Sequence, residues 1–487
     1  MNSEELLGRY LAGGCTDAEV HALQEALKQD AALRRKYLDY LNLDLALETR
    51  VDMTEQPAPA RRSASGDSAK RVRSSFGWAW GIAAAVAVLV GVGVVWGGRW
   101  GNFGESYATV VECPGVEQWR VGKRLRGGRY AIRAGTVDLV TSRGARVVIE
   151  APAEFRFESE QRLILSRGRL SAEVPPAAKG FTVVTRSGDA VDLGTRFGVD
   201  VPSKGAAEVH VFEGEVVERS ARGGQRQSVK GGEAVVMNQG AGAARELRNA
   251  AFIRREEVGR LNAALTAGQR ARAAAALGAL RRDPALIALV EFESGRAGAG
   301  VYREVQGRWP GSKALEFCNP GDHLKLDAGG GRTWPELTFA AWVRLDRVGG
   351  GRIQSLFHTD GWDRKNPGQI HWSVTPFGTM WLVCLPFQKH AVNEEMTPRL
   401  PEEGRWTHLV SVYDAPRHLL RHYLDGKLGL EMTLSGAAPA VLGQAEIGNW
   451  DLYDRKLSGR LDELVLMGRA MEEREVAALF EAGNPYR

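Results

Sequence analysis

Three constellations in this 487-residue chain carry residue types that could do chemistry. The first is a pair of loop tryptophans, Trp362 in Asp360-Gly361-Trp362-Asp363 and Trp450 in Gly448-Asn449-Trp450-Asp451-Leu452-Tyr453-Asp454. Indole faces stack on sugar rings, and Asn449 and Asp451 would supply polar contacts to the hydroxyls. The plainer reading is that the two rings plug the ends of a folded module. The second constellation is the acidic pair Asp462-Glu463. Glycoside hydrolysis needs two carboxylates about 5 to 10 Å apart on one cleft floor, whereas neighbours on a strand point to opposite faces, so the expectation is that the chain is not an enzyme. The third is Asp192-Leu193-Gly194-Thr195-Arg196-Phe197. Asp192, Thr195 and Arg196 could be a catalytic trio, but a polar turn pinning two strands explains them more simply, and His210 stands alone with no Ser or Cys nucleophile motif beside it.

Composition narrows the classes. Four cysteines, Cys15, Cys113, Cys318 and Cys384, show no CxxC or Cys/His spacing that would suggest zinc. A Cys318–Cys384 disulfide is one option and buried free thiols the other. A net charge of +5 is small for this length, and no basic helix or aromatic-basic interleaving is present, so no direct contact with nucleic acid is expected. The 44% hydrophobic content suits about three globular domains with sizeable cores.

The elements that must position these residues start from residues 75–98, which hold no ionisable side chain between Arg73 and Arg99. About 20 apolar residues in a helix cross a bilayer, and Trp78, Trp80, Trp96 and Trp100 sit where indoles prefer the headgroup level. Arg61, Arg62, Lys70, Arg71 and Arg73 precede the run and Arg99 follows it, which places residues 1–75 in the cytoplasm and the remainder outside. Residues 1–56 read as three short helices, with a Thr16/Glu19 capping box opening the second and Leu33, Tyr37, Leu41 and Leu45 striping the third. Residues 57–74, rich in Pro, Ala, Ser and Arg, read as a flexible linker. The pattern ELLGRYLAGGCTDAEVHALQEAL followed by DAALRRKYLDYL resembles the N-terminal cytoplasmic domain of FecR-type anti-sigma regulators. That resemblance implies an extracytoplasmic-function sigma factor as partner, bound without zinc because only Cys15 and His21 are available. A small bundle that merely self-associates is the competing reading.

Beyond the span the hydrophobic period changes from helical to two. Residues 105–240 offer short strands such as 136–140, 146–150, 155–157 and 163–165, interrupted by glycines. Three stretches in order resemble the FecR domain: Gly180-Phe181-Thr182-Val183-Val184-Thr185, the run Val191 to Val201 containing Asp192-Leu193-Gly194-Thr195-Arg196-Phe197, and a hairpin from Ala207 to Glu218 bending at Gly214. In that family the domain transmits an outside state to the inside domain. Residues 241–288, dominated by Ala, Leu, Arg and Glu, read as one or two linking helices.

Residues 289–487 return to strands, richer in aromatics: 314–318, 321–326, 337–345, 404–414, an Asp425-Gly426 hairpin, and 459–467 ahead of a final helix, 472–482. These pieces resemble the laminin G-like, concanavalin A-like jelly roll, which implies a glycan or a cell-envelope protein as ligand. The resemblance also implies calcium as a possible ligand of the fold, with Asp322 and Asp462 at the positions where such residues tend to stand. Trp342, Trp406 and Tyr423 read as core aromatics. The expected fold class is therefore multidomain: a small all-α N-terminal domain, one transmembrane helix, an all-β FecR domain, a helical linker and an all-β jelly-roll sandwich. The whole implies a single-pass inner-membrane protein with its C-terminal domains in the periplasm, either a regulator or a membrane-tethered carbohydrate-binding adhesin.

Overall fold

The computed structural model describes residues 106–486, apart from 222–225, 238–243, 267, 294–297, 331, 350–351, 362–365, 385–399, 401, 435 and 451–454. The expected cytoplasmic helices, linker and membrane span lie outside the described residues, as do Trp362 and Asp451. Among the described residues no helix is long and apolar enough to cross a membrane.

The first β module runs from Ala108 to Arg245 as one 14-stranded sheet curled on its own core. Thr136–Thr141 and Arg146–Ser159 pair antiparallel about the Ser142-Arg143-Gly144 turn, where the Gly144 amide donates to the Thr141 carbonyl at 2.9 Å. The sequence suggested two strands at 146–150 and 155–157, but they are one strand of 14 residues whose register slips between Glu150 and Glu154. Alternate residues Val147, Ile149, Ala151, Ala153, Phe155 and Phe157 enter the core, where they meet Leu165, Phe197 and Val199. Burying each large apolar side chain contributes about 1.5–3 kcal/mol.

Two glycines explain how the sheet closes. Gly188–Asp192 pairs with Thr182–Thr185 and Glu215–Ser220, whereas Arg196–Val201 pairs with Arg162–Glu173 and Glu208–Glu213. The chain thus changes neighbours at Gly194 (φ 105°), and the adjoining segment changes neighbours at Gly214 (φ 82°). The hairpin expected around Gly214 is instead a corner, because Glu208–Glu213 and Glu215–Ser220 do not pair with each other. A Cβ on Gly214 would sit 2.6 Å from Thr195 Cγ2, so only glycine fits.

The linking segment holds two helices, Arg255–Thr266 and Gln269–Leu280, separated at Gly268 in the left-handed conformation. Before them, Phe252 and Ile253 are buried, as are Val258 and Leu261 in the first helix. The C-terminal module is a sandwich of an eight-stranded and a six-stranded sheet. Leu337, Phe339, Ala341, Val343 and Leu345 of Glu336–Leu345 face inward against Leu356, Trp372, Leu382 and Ile447. The final helix, Glu473–Gly483, opens on a capping box between Glu472 and Glu475. Trp342, Trp406 and Tyr423 are buried, yet they are not between the sheets. They occupy the outer face of the eight-stranded sheet, Tyr423 beside Val476 and Trp342 stacked on Phe480 of that helix. Amphipathic strands at such a position carry apolar residues on both faces because a helix or a second module covers the outer one.

Candidate functional site

The rest of that outer face meets the first β module, and the contact is ionic. Glu150, Arg169 and Asp200 stand in one row across three neighbouring strands of the first module. Glu316, Arg460 and Arg344 stand in one row across three strands of the sandwich. The rows interlock. Arg169 donates a two-bonded pair to Glu316 (2.7 and 2.6 Å), and Arg460 donates one to Glu150 (2.7 and 2.9 Å). Asp200 accepts from Arg169 at 2.8 Å and from Arg303 at 2.5 and 2.7 Å. Arg169 and Arg460 both donate to the carbonyl of Ala251, in the linking segment, at 3.0 and 2.8 Å. Arg248 closes the edge, 3.4 Å from Asp200 and 3.6 Å from Asp346.

Every one of Glu150, Arg169, Asp200, Glu316 and Arg460 is no more than 4% exposed, so the attraction acts in a medium that screens weakly. Burial works against the charges of Asp200 and Glu316, but the surrounding guanidinium groups hold both carboxyls well below the usual carboxylate range. Burial likewise opposes the charge on Arg169, and Asp200 and Glu316 overcome it, keeping that group above its ordinary value. Such a seam rewards one relative placement of the modules and penalises any other, because a slip would leave charges buried without partners.

A second polar cluster lies on the outer face of the six-stranded sheet. His358, His371 and Glu446 stand side by side in register, with Ser355 and Ser373 one step along. All five are buried. Trp450 covers them, its ring stacked on His358 (centroids 4.3 Å) and edge-on to His371 (4.8 Å), with the Arg455 guanidinium 4.6 Å from the indole centre. Asn449 secures this loop by accepting the amides of Trp450 and Arg455 at 2.8 and 3.0 Å. Burial, reinforced by the Arg455 charge, lowers His358 to about 2, and His371 lies well below its ordinary value, so both rings are neutral. Trp450 is 4% exposed, and its indole is engaged by protein rather than offered to a ligand.

The other residues singled out in the sequence fall elsewhere. Asp192 accepts the Gly194 amide at 2.8 Å and the Thr195 hydroxyl, fixing the corner at Gly194; Phe197 is core, Leu193 is exposed, and Arg196 pairs with Glu213 at the surface (2.6 Å). His210 is buried against Phe252 and 3.2 Å from Glu208, and burial lowers its pKa despite that neighbour. Asp322 folds onto its own loop, one oxygen accepting the amides of Cys318 and Asn319 at 2.8 Å each. Asp462 accepts the Arg308 amide at 2.9 Å. Both aspartates are thus engaged by nitrogen donors, Asp462 beside a buried guanidinium. No group of three His, Cys, Asp or Glu residues able to hold a metal occurs among the described residues. The pair does not fit a calcium cage, which wants converging oxygens.

Asp462 and Glu463 do not point to opposite faces as strand alternation suggested. Glu463, at φ 59°, is the extra residue of a bulge opposite Ala341 and Trp342. The bulge brings both acids to Arg308, whose guanidinium is 2.6 Å from Glu463 and lies over Trp342 and Trp309. Cys113, Cys318 and Cys384 are free thiols, so the Cys318–Cys384 disulfide is not formed.

Residues 130–217 match the family model described as FecR protein, and residues 320–477 match that of the concanavalin A-like lectin/glucanases superfamily. The chain therefore carries a FecR domain followed by a concanavalin A-like domain. No curated protein matches it. Among solved structures, domain 4 of a GH43 extracellular arabinanase from Geobacillus stearothermophilus, in complex with arabinotriose, is 18% identical over 40% of this chain and 97% of that one, with a TM-score of 0.31. A "putative anti-sigma factor" from Parabacteroides distasonis is 18% identical over 25% of this chain and 60% of that one, at 0.22. The botulinum neurotoxin serotype D ligand-binding domain in complex with N-acetylneuraminic acid is 10% identical, covering 40% and 50%, at 0.30.

Proposed function

We propose that this protein is a FecR-type membrane regulator in which the concanavalin A-like domain senses a glycan or envelope protein outside the cell. The FecR domain carries that state toward residues 1–56, which hold an extracytoplasmic-function sigma factor on the cytoplasmic side of the inner membrane. The FecR match supports the regulator class, and the charge-free run 75–98 supports the topology. The observation that carries the reading is the buried ionic seam. A sensor hung on a flexible tether would report nothing through its tether, whereas Arg169–Glu316 and Arg460–Glu150 make sensor and relay move together.

In this reading the protein is not catalytic. Asp462 and Glu463 are occupied by Arg308, and the Asp192–Thr195 pair serves its own corner. The test is co-purification of the tagged full chain from detergent-solubilised membranes of its own host. A sigma factor is expected in the eluate, lost when residues 1–56 are deleted. An eluate without one, alongside retained binding to cell-envelope glycan, would replace the regulator with a tethered adhesin.

A further inference from the structure

We propose that the cleft where the two β modules meet is a binding site for a small organic anion with a ring or apolar face, an acidic sugar being the simplest case. The cleft encloses about 740 Å³ beside the ionic seam, a size that takes a ligand of two or three rings. The FecR side supplies Arg167 and the loop from Pro202 to Ala206; the sandwich side supplies Val301 to Glu304 and the Cys318 to Asp322 turn. Val301 is 58% exposed within it, and the half-buried Tyr302 gives a ring wall, its hydroxyl already donated to the Gly298 carbonyl.

The charges of the lining decide the sign of the ligand. Each acid is already satisfied. Asp200 receives Arg169 and Arg303, Glu208 receives Arg245 at 2.8 Å, Glu304 receives Lys313 at 3.2 Å, and Asp322 receives two backbone amides. The cations are not all matched. Among the described residues, neither the Arg167 nor the Lys204 side chain makes a hydrogen bond or ion pair, and both stand exposed at the rim. Deeper in, Arg248 already faces Asp200 and Glu208 at 3.4 Å, Asp346 at 3.6 Å and Glu316 at 4.0 Å, so it adds positive potential to the floor but no free donor. A carboxylate or phosphate entering here meets two uncommitted cations, and it displaces no protein anion.

Asp200, Arg248 and Arg303 belong to the cleft lining and to the seam alike, so occupancy acts directly on the contact between the modules. That consequence rests on the relay function above; binding itself does not, and the two fail separately. The test is calorimetric titration of the full chain in detergent with four probes: inorganic phosphate, citrate, digalacturonate and, as the neutral control, cellobiose. Digalacturonate is expected to bind more tightly than cellobiose. Its affinity should fall roughly tenfold or more in Arg167→Ala/Lys204→Ala, as loss of charge-assisted contacts dictates, and should persist in Arg167→Lys/Lys204→Arg. A digalacturonate response supports the ringed anion proposed, whereas a response to inorganic phosphate or citrate alone would show a site blind to the ring and would overturn it. No anion outcompeting cellobiose, or binding unchanged in the alanine pair, would overturn the proposal.

Discussion

Removing one partner of a buried ion pair and removing both are different experiments, and the seam distinguishes them. Arg169→Met leaves Glu316 and Asp200 buried without their shared counter-charge, so it should destabilise the fold by about 3–5 kcal/mol. Arg169→Met with Glu316→Met removes one charge of each sign and should restore part of that loss. Chemical-denaturant midpoints of the full chain in detergent measure both; equal midpoints for the single and double variants would mean that the pair is not the source. The buried histidines give a second residue-scale prediction. His358, His408 and His422 are lowered by burial to about 2, 3 and 4, and His210 and His371 are lowered too. Because they protonate more readily when unfolded, their contribution is full above pH 6.5 and is lost as the pH falls below it. Asp138 and Asp346, raised to about 6, and Asp462, raised to about 7, act in the opposite sense, gaining stability as pH falls toward 4, mainly through burial. Burial raises Asp192, Asp322 and Asp425 as well, so carboxyls and histidines pull the pH dependence in opposite directions and the histidine share is read by substitution. His422→Gln removes one histidine's loss, so denaturant midpoints between pH 6.5 and 5 should fall less steeply, or rise more, than in the unaltered chain, by up to about 1.4 kcal/mol per pH unit.

Among the elements, the two corners are the most diagnostic. Gly214 has Thr195 against the place where a Cβ would go, whereas Gly194 has open space around it. Both hold positive φ, so Gly194→Ala pays backbone strain of about 1 kcal/mol while Gly214→Ala adds a clash and should cost clearly more. Equal losses in thermal midpoint would contradict the corner geometry. The strands themselves were legible from period and glycine spacing: Glu336–Leu345, Trp406–Asp414 and Gly459–Met467 lie within two residues of their expected bounds. Pairing was not legible, because alternation shows which residues share a face but not which strand lies alongside; the Gly214 corner therefore read as a hairpin. The bulge at Glu463 escaped for a related reason, since an acidic residue at positive φ leaves no mark in the pattern. The seam was hidden most deeply. Glu150, Arg169 and Arg460 alternate with apolar residues just as solvent-facing charges do, and only the second module, some 150 to 300 residues away in the chain, turns that face into an interior.

At the scale of the whole molecule, the FecR and concanavalin A-like modules are joined as one body. Buried charges hold them together: Arg169 pairs with Glu316, Arg460 with Glu150 and Arg303 with Asp200, and Arg169 and Arg460 share the Ala251 carbonyl. The linking helices reinforce this placement, with Arg260 reaching the carbonyls of Arg308 and Pro485 at 3.3 Å. The direct test is a pulsed electron-paramagnetic-resonance distance measurement between spin labels at the exposed positions Lys179 and Lys427, one on each module, in the full chain. A single narrow distribution is expected, broadening in Arg169→Ala/Arg460→Ala; a broad distribution in the unaltered chain would show that the modules swing freely and would contradict the account.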